Sequence, residues 1–329
     1  MSGLLIYGAT GYTGRMVAEQ AKARGLDVVL GGRDAARLAA LGAALDLPYR
    51  VFGVDAAPLP GAMLDGCMAV LNCAGPFRLT AGPLMQACIA QGIHYLDITA
   101  EIGVYRLAEA LGAQAAAAGV MLLPGVGWDV VPTDCLALHL AGRVAQPQSL
   151  RIALQVAGAM SRGSAISAGE IVGAGLLARV GGELVATPAA QPAMFDFGEG
   201  PVSCAPLSFG DLVTAWHSIG IPDIAMYVHV PDDAFPTGDL SQLPDGPSAA
   251  ERARHGARAV AEVSGADGSR VRAVIETVNG YSYTPLAAVA AAQQVMAGVH
   301  RPGFETPARL FGAGFAETVP GTRIFDLPA

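Results

Sequence analysis

The chain has 329 residues, 52% of them hydrophobic and 15% charged, with a formal net charge of −8. That composition can bury a sizeable core and excludes a disordered chain; an acidic surface with no basic cluster argues against nucleic acid and anionic lipid as partners. No stretch approaches about 18 uninterrupted apolar residues, so no membrane span is expected, and an N-terminus that enters a strand without a charged region and cleavage site makes a cytoplasmic protein the expectation.

In chain order, residues 4–7 form a short apolar run that ends at a Gly-rich turn, the pattern of a buried strand. Alternation then predicts a helix over 13–24, a strand over 28–30, a helix over 35–45 and strands over 50–53 and 68–72. A helix over 79–91 should stop at Gly92, followed by a strand over 93–96, a helix over 104–118 and a strand over 120–123. Strands alternating with helices of about 10–15 residues make a parallel, doubly wound sheet, and six strands by residue 124 fill one dinucleotide-binding domain.

Beyond the Gly/Pro-rich stretch 124–132 the pattern changes. A helix over 133–142 with Thr133 as N-cap, a strand over 150–156 and a helix over 167–179 are expected. Several strand-like pieces span 195–230, and a polar loop spans 231–247. A helix over 249–263, a half-wet strand over 270–278 and a nearly all-apolar helix over 286–297 follow, the last expected to be buried on every side. A helix over 307–315 and a strand over 322–325 close the chain, which holds no internal repeat. The expected organisation is a Rossmann domain over 1–125, an α+β domain over 126–285, and a C-terminal segment over 286–329.

The sharpest motif is Gly8-Ala9-Thr10-Gly11-Tyr12-Thr13-Gly14, placed after the first strand and opening the first helix. Glycines without Cβ let the backbone turn tightly and approach a pyrophosphate, while the helix N-terminus offers unpaired N–H groups and partial positive charge. The second strand ends in Gly31-Gly32-Arg33-Asp34. At that position an acid selects the ribose of NAD, whereas an arginine accommodates the 2′-phosphate of NADP. Arg33, assisted by Arg37 one turn on, therefore favours NADP over NAD. The fourth strand ends in Asn72-Cys73-Ala74-Gly75-Pro76-Phe77, and Cys73 to Phe77 are expected to face the nicotinamide half of the cofactor. Cys73 has no base beside it in sequence. The five cysteines are odd in number and scattered, with no CxxC or Cys/His pattern, so no metal site is expected.

These motifs, with His94-Tyr95-Leu96-Asp97-Ile98-Thr99-Ala100-Glu101, the loop from Pro124 through Trp128 and Asp129 to Asp134, and Gly280-Tyr281-Ser282-Tyr283-Thr284-Pro285, together resemble the saccharopine dehydrogenase-like oxidoreductases, strongly over 1–135 and in patches beyond. The resemblance implies a Rossmann domain with an inserted α/β domain, after which a C-terminal helix returns to the first domain. It also implies a homodimer. The family includes amino-acid dehydrogenases of the lysine pathway and trans-acting enoyl reductases.

Hydride transfer to a carbonyl or imine needs a proton donor. Tyr95, Asp97 and Asp129, on strand-end loops, are the candidates, with Glu101, Asp134, Tyr281 and Tyr283 behind them. His94 lies at the opposite end of the fifth strand, and His217 and His229 fall in strand-like pieces. Arg151, Arg162 and Arg179 are the arginines that could clamp an amino dicarboxylate. The leading expectation is an NADP-dependent oxidoreductase acting on a small or lipid-like carbonyl, imine or enoyl compound. A non-catalytic NADP-binding redox sensor and an NAD-dependent amino-acid or opine dehydrogenase are the alternatives.

Overall fold

The apolar pentapeptide Gly3–Tyr7 forms β1, with every residue buried, as in a strand covered on both faces. The computed structural model describes residues 3–55, 59, 61–156, 158–173, 175–229 and 244–328. Behind β1 come α1 (Tyr12–Ala23), β2 (Val28–Gly32), α2 (Ala35–Leu45), β3 (Tyr49–Val51), β4 (Cys67–Asn72), α3 (Phe77–Gln91), β5 (His94–Asp97), α4 (Ile102–Ala117) and β6 (Met121–Leu123). Asp34 caps α2 by accepting the Arg37 N–H, and Gly92 ends α3 in the left-handed region, the stop the sequence predicts.

The chain divides into two compact units. The first comprises 1–99, 103–127 and 284–305; the second comprises 100–102, 128–283 and 306–329. The sheet of the first unit is wholly parallel in its described pairings, with β6-β5-β4-β1-β2-β3 in the doubly wound order. A short later strand (Gly303–Phe304) extends it beyond β6, also in parallel. At the end of the sheet away from the glycine turn, His94 Nδ1 accepts the Met121 N–H at 3.1 Å and its ring lies on His300. Burial and that second imidazole push His94 down to about 4.

The second unit opens with α5 (Val131–Ala141), β7 (Pro147–Gln155), α6 (Arg162–Gly173), β8 (Leu177–Val180), β9 (Glu183–Ala186), β10 (Ala193–Asp196) and β11 (Pro201–Pro206). It continues with α7 (Asp211–Ile219), β12 (Asp223–His229), α8 (Ala249–Arg254), β13 (Ala257–Gly265) and β14 (Arg270–Thr277). Helix α9 (Gly280–Met296) leads into β15, the Gly303–Phe304 strand; α10 (Pro307–Phe311) and β16 (Arg323–Asp326) close the chain. The nine-stranded sheet runs β10-β11-β12-β7-β13-β14-β16, with the β8–β9 hairpin attached to β12. Only β12 and β7 pair in parallel among its described pairings, so the sheet is mixed. The α/β class with a second α+β unit stands as expected.

Several element boundaries differ from expectation. The helix expected over 249–263 stops at Arg254, and 257–265 form the central strand β13 between β7 and β14. Its alanines favour a helix locally, but Ala259, Ala261 and Val263 alternate with Arg258, Val260 and Glu262, and pairing on both edges decides the outcome. The helix expected over 167–179 covers Arg162–Gly173, with Gly175 at φ +79° before strand β8. The pieces over 195–230 include α7, so His217 sits on a helix rather than a strand. Thr133 is not an N-cap: α5 starts at Val131, and the Thr133 hydroxyl donates to the Val130 carbonyl. Helix α9 starts at Gly280, where Asn279 accepts the Tyr281 N–H. Residues 231–243 of the expected polar loop lie outside the described residues.

Candidate cofactor site

The turn after β1 is built by backbone alone. Gly8 takes φ +80°, and its N–H and that of Ala9 both donate to the Gly31 carbonyl of β2. Gly11 N–H donates back to the Gly8 carbonyl at 3.0 Å. A Cβ at Gly14 would lie 2.2 Å from the Gly8 oxygen, and one at Gly8 would lie 2.8 Å from the backbone nitrogen of Ala74. Helix α1 therefore sits directly on the turn, and the turn directly on the loop after β4. Neither approach admits a side chain.

Gly11 caps α1 without any side-chain hydrogen bond, and the first turn, with Tyr12, Thr13 and Gly14, carries no acid. Such an N-terminus is suited to an anion. Arg37 donates to the Thr10 carbonyl at 2.8 Å and so ties α2 to the turn. Arg33 follows β2, is exposed, and has no hydrogen-bond or ion-pair partner among the described residues. One guanidinium beside the turn is thus committed to the fold, and the other has no hydrogen-bond or ion-pair partner among the described residues.

Beyond β4, the Cys73 N–H donates to the Tyr7 carbonyl at 2.8 Å, Pro76 caps α3, and Phe77 is buried as its first residue. Burial, helped by the charge of Asp97, pushes the Cys73 thiol far up, so it offers no thiolate. Tyr95 and Asp97 do not follow β5 but lie within it, both buried. The Tyr95 hydroxyl donates to Asp97 Oδ2 at 2.9 Å, while Asp97 Oδ1 accepts from Thr99 N–H and Gly125 N–H.

In the second unit, Asp129 is half-buried as a residue, with its carboxyl enclosed enough that burial pushes it up to about 6. Asp134 is fully buried and accepts from Ser218 Oγ at 2.8 Å and Ala308 N–H at 2.9 Å. Burial raises it to about 6 against the pull of those bonds. Sequence reasoning missed Asp211 at the start of α7. It is buried, neither oxygen has a hydrogen-bond partner among the described residues, and burial with the charge of Asp134 holds its carboxyl well above the ordinary range. Its only sequence signal was an acid in a helix first turn.

The remaining candidates are engaged. Tyr283 donates to the Ala316 carbonyl, Tyr281 Oη accepts the Ser161 N–H, and Glu101 accepts from Ser167. Arg151 pairs with Glu262 beneath the Phe195 ring, Arg162 pairs with Asp245, and buried Arg179 donates to the carbonyls of Leu212 and Gly182. Among the described residues, no group of three or more His, Cys, Asp or Glu could hold a metal ion, and no helix is long and apolar enough to cross a membrane.

A glycine turn closed to side chains, an open helix N-terminus and a free arginine after β2 define a dinucleotide-binding Rossmann unit. Residues 4–123 match the family model of the saccharopine dehydrogenase NADP binding domain. The chain is 32% identical over 157 residues to a trans-acting enoyl reductase of Mycobacterium leprae, an alignment covering 44% of this chain and 37% of the relative. It is 28% identical over 151 residues to one of Mycobacterium ulcerans, covering 44% and 36%. These matches thus span little more than a third of the relatives' length. In fold, the whole chain is similar to the apo saccharopine dehydrogenase (L-Glu forming) of Saccharomyces cerevisiae, with a TM-score of 0.66, 12% identity and full coverage of both chains.

Proposed function

We propose that this protein is an NADP-dependent oxidoreductase that transfers hydride to or from a small or lipid-like carbonyl, imine or enoyl substrate. The observation that carries this reading is the closed glycine cradle with Arg33 beside it, unpaired among the described residues. The names of the relatives favour an enoyl compound within that range. Bound NADPH would supply the hydride; Gly8 through Gly14 with the α1 N-terminus would hold its pyrophosphate, Arg33 its 2′-phosphate, and the loop over Cys73, Ala74, Gly75, Pro76 and Phe77 its nicotinamide side.

Asp129 is the proposed proton donor. An enclosed carboxyl raised to about 6 keeps a proton accessible near neutral pH, as general acid catalysis requires. The engagement of Arg151, Arg162 and Arg179 with their own partners weakens the amino-acid dehydrogenase alternative. The same reading takes the chain as a cytoplasmic homodimer with no nucleic-acid partner, in keeping with its acidic surface and the family resemblance.

The test is NADPH consumption against a panel of enoyl thioesters, ketones and imines. Turnover with one class, slowed at least a hundredfold in Asp129→Asn with NADPH binding retained, is the expected result. NADPH binding without turnover across the panel would instead favour the redox-sensor reading.

A further inference from the structure

Three loops leave the carboxyl ends of β4, β5 and β6, and one chain of hydrogen bonds with a buried centre joins them. Asn72, the last residue of β4, is the hub. Its Nδ2 donates to Thr80 Oγ1 at 3.0 Å and to Tyr95 Oη at 3.1 Å, and its Oδ1 accepts the Ala74 N–H at 3.0 Å. Thr80 donates onward to the Ala74 carbonyl at 2.7 Å. Tyr95 donates to Asp97, the last residue of β5, and Asp97 gathers the N–H groups of Thr99 and of Gly125 after β6.

Each donor in this network has one direction open to it. Both amide hydrogens of Asn72 are used, so Tyr95 must accept from Asn72 and give its own hydrogen to Asp97. Asp97 receives hydrogens on both oxygens. Asn72, Tyr95 and Asp97 are each 0% exposed, so loss of one member leaves buried groups unpaired. The network ends on both sides of Ala74, the residue against which Gly8 is packed with no room for a Cβ.

We propose that Asn72, Tyr95 and Asp97 are positioning residues that set the nicotinamide-side loops without giving a proton to substrate. This rests on the cofactor reading above and removes Tyr95 and Asp97 from the list of proton donors. The arrangement is a network with every member satisfied, which rigidifies what it joins.

The experiment compares NADPH with 2′,5′-ADP, which carries the adenosine half and 2′-phosphate but no nicotinamide, by calorimetric titration of the native chain, Tyr95→Phe and Asn72→Ala. Tyr95→Phe removes one oxygen and keeps the ring, so it tests the idea even if Asn72→Ala fails to fold. The expected result is at least tenfold weaker NADPH binding with 2′,5′-ADP within twofold of native. Unchanged NADPH binding in Tyr95→Phe overturns the proposal. A parallel loss for both ligands with a lowered Tm also overturns it, since that marks a general structural role. If the native chain binds neither ligand, the cofactor reading itself falls, and the positioning role with it.

Discussion

Gly14→Ala is expected to weaken NADPH binding at least a hundredfold, about 3 kcal/mol. The added Cβ would stand 2.2 Å from the Gly8 carbonyl oxygen, 2.9 Å from its carbon and 3.1 Å from Ala9 Cα. All three are backbone atoms, so no side chain can swing aside. Relief requires α1 to move off β1 or the turn to open, and either disperses the N–H groups that face the pyrophosphate. Overpacking of this kind also costs about 1–3 kcal/mol of stability. Titration of the purified variant with NADPH, alongside thermal unfolding, checks both effects. Binding within threefold of native would show that the turn is not the phosphate site.

Asp134→Ala is expected to destabilise the chain by about 2–4 kcal/mol, read from urea unfolding. Asp134 ties three segments together: its own helix α5, Ser218 on α7 and the Ala308 N–H of α10. Alanine leaves the buried Ala308 N–H without an acceptor and cuts the tie to Ser218, whose hydroxyl keeps only Thr306. Asp134→Asn keeps the shape and removes the charge, and it separates the bonding role from the ionic one. The folded carboxyl holds its proton up to about 6 against an ordinary value of 3.8, so the folded state binds the proton more tightly. That contribution is fully present below about pH 4 and is lost as pH rises through 6, by at most about 3 kcal/mol. The stability of the native chain minus that of Asp134→Asn should therefore fall across that window. His94, lowered to about 4, contributes with the opposite sign in both proteins and cancels in the difference. A difference that does not vary with pH would refute the buried-charge assignment.

The first unit was legible because its signals are local. The glycine turn, the Asp34 cap and the Gly92 stop are each encoded within a few residues, and strand burial on both faces leaves continuous apolar runs. Its seventh strand, β15, was not legible, since two residues carry no period. The second unit hid more. The alanine-rich β13 has helical composition and becomes a strand only through pairing on both edges. Gly173 and Gly175 mark the switch from α6 to β8, but a glycine pair in sequence reads equally as a flexible helix end. At the site, Arg33 and the Gly motif could be named from spacing. That Arg37 is committed to the Thr10 carbonyl could not, because it depends on how α2 docks. Tyr95 and Asp97 looked like reactive groups from their place near a strand end, yet they are tied to each other and to Asn72 across strands. Asp211 lacked any motif and gains its character from burial beside Asp134.

The measurement that bears most directly on the central claim is fluorescence titration with NADPH and NADH of the native chain and Arg33→Ala. Arg33 has no hydrogen-bond or ion-pair partner among the described residues and can meet a 2′-phosphate with parallel hydrogen bonds. NADPH should bind the native chain at least tenfold tighter than NADH, and Arg33→Ala should remove most of that gap, about 1.4 kcal/mol per tenfold. Equal or tighter binding of NADH, with no change on substitution, would contradict the assignment of this unit to NADP and return the NAD-dependent reading to first place.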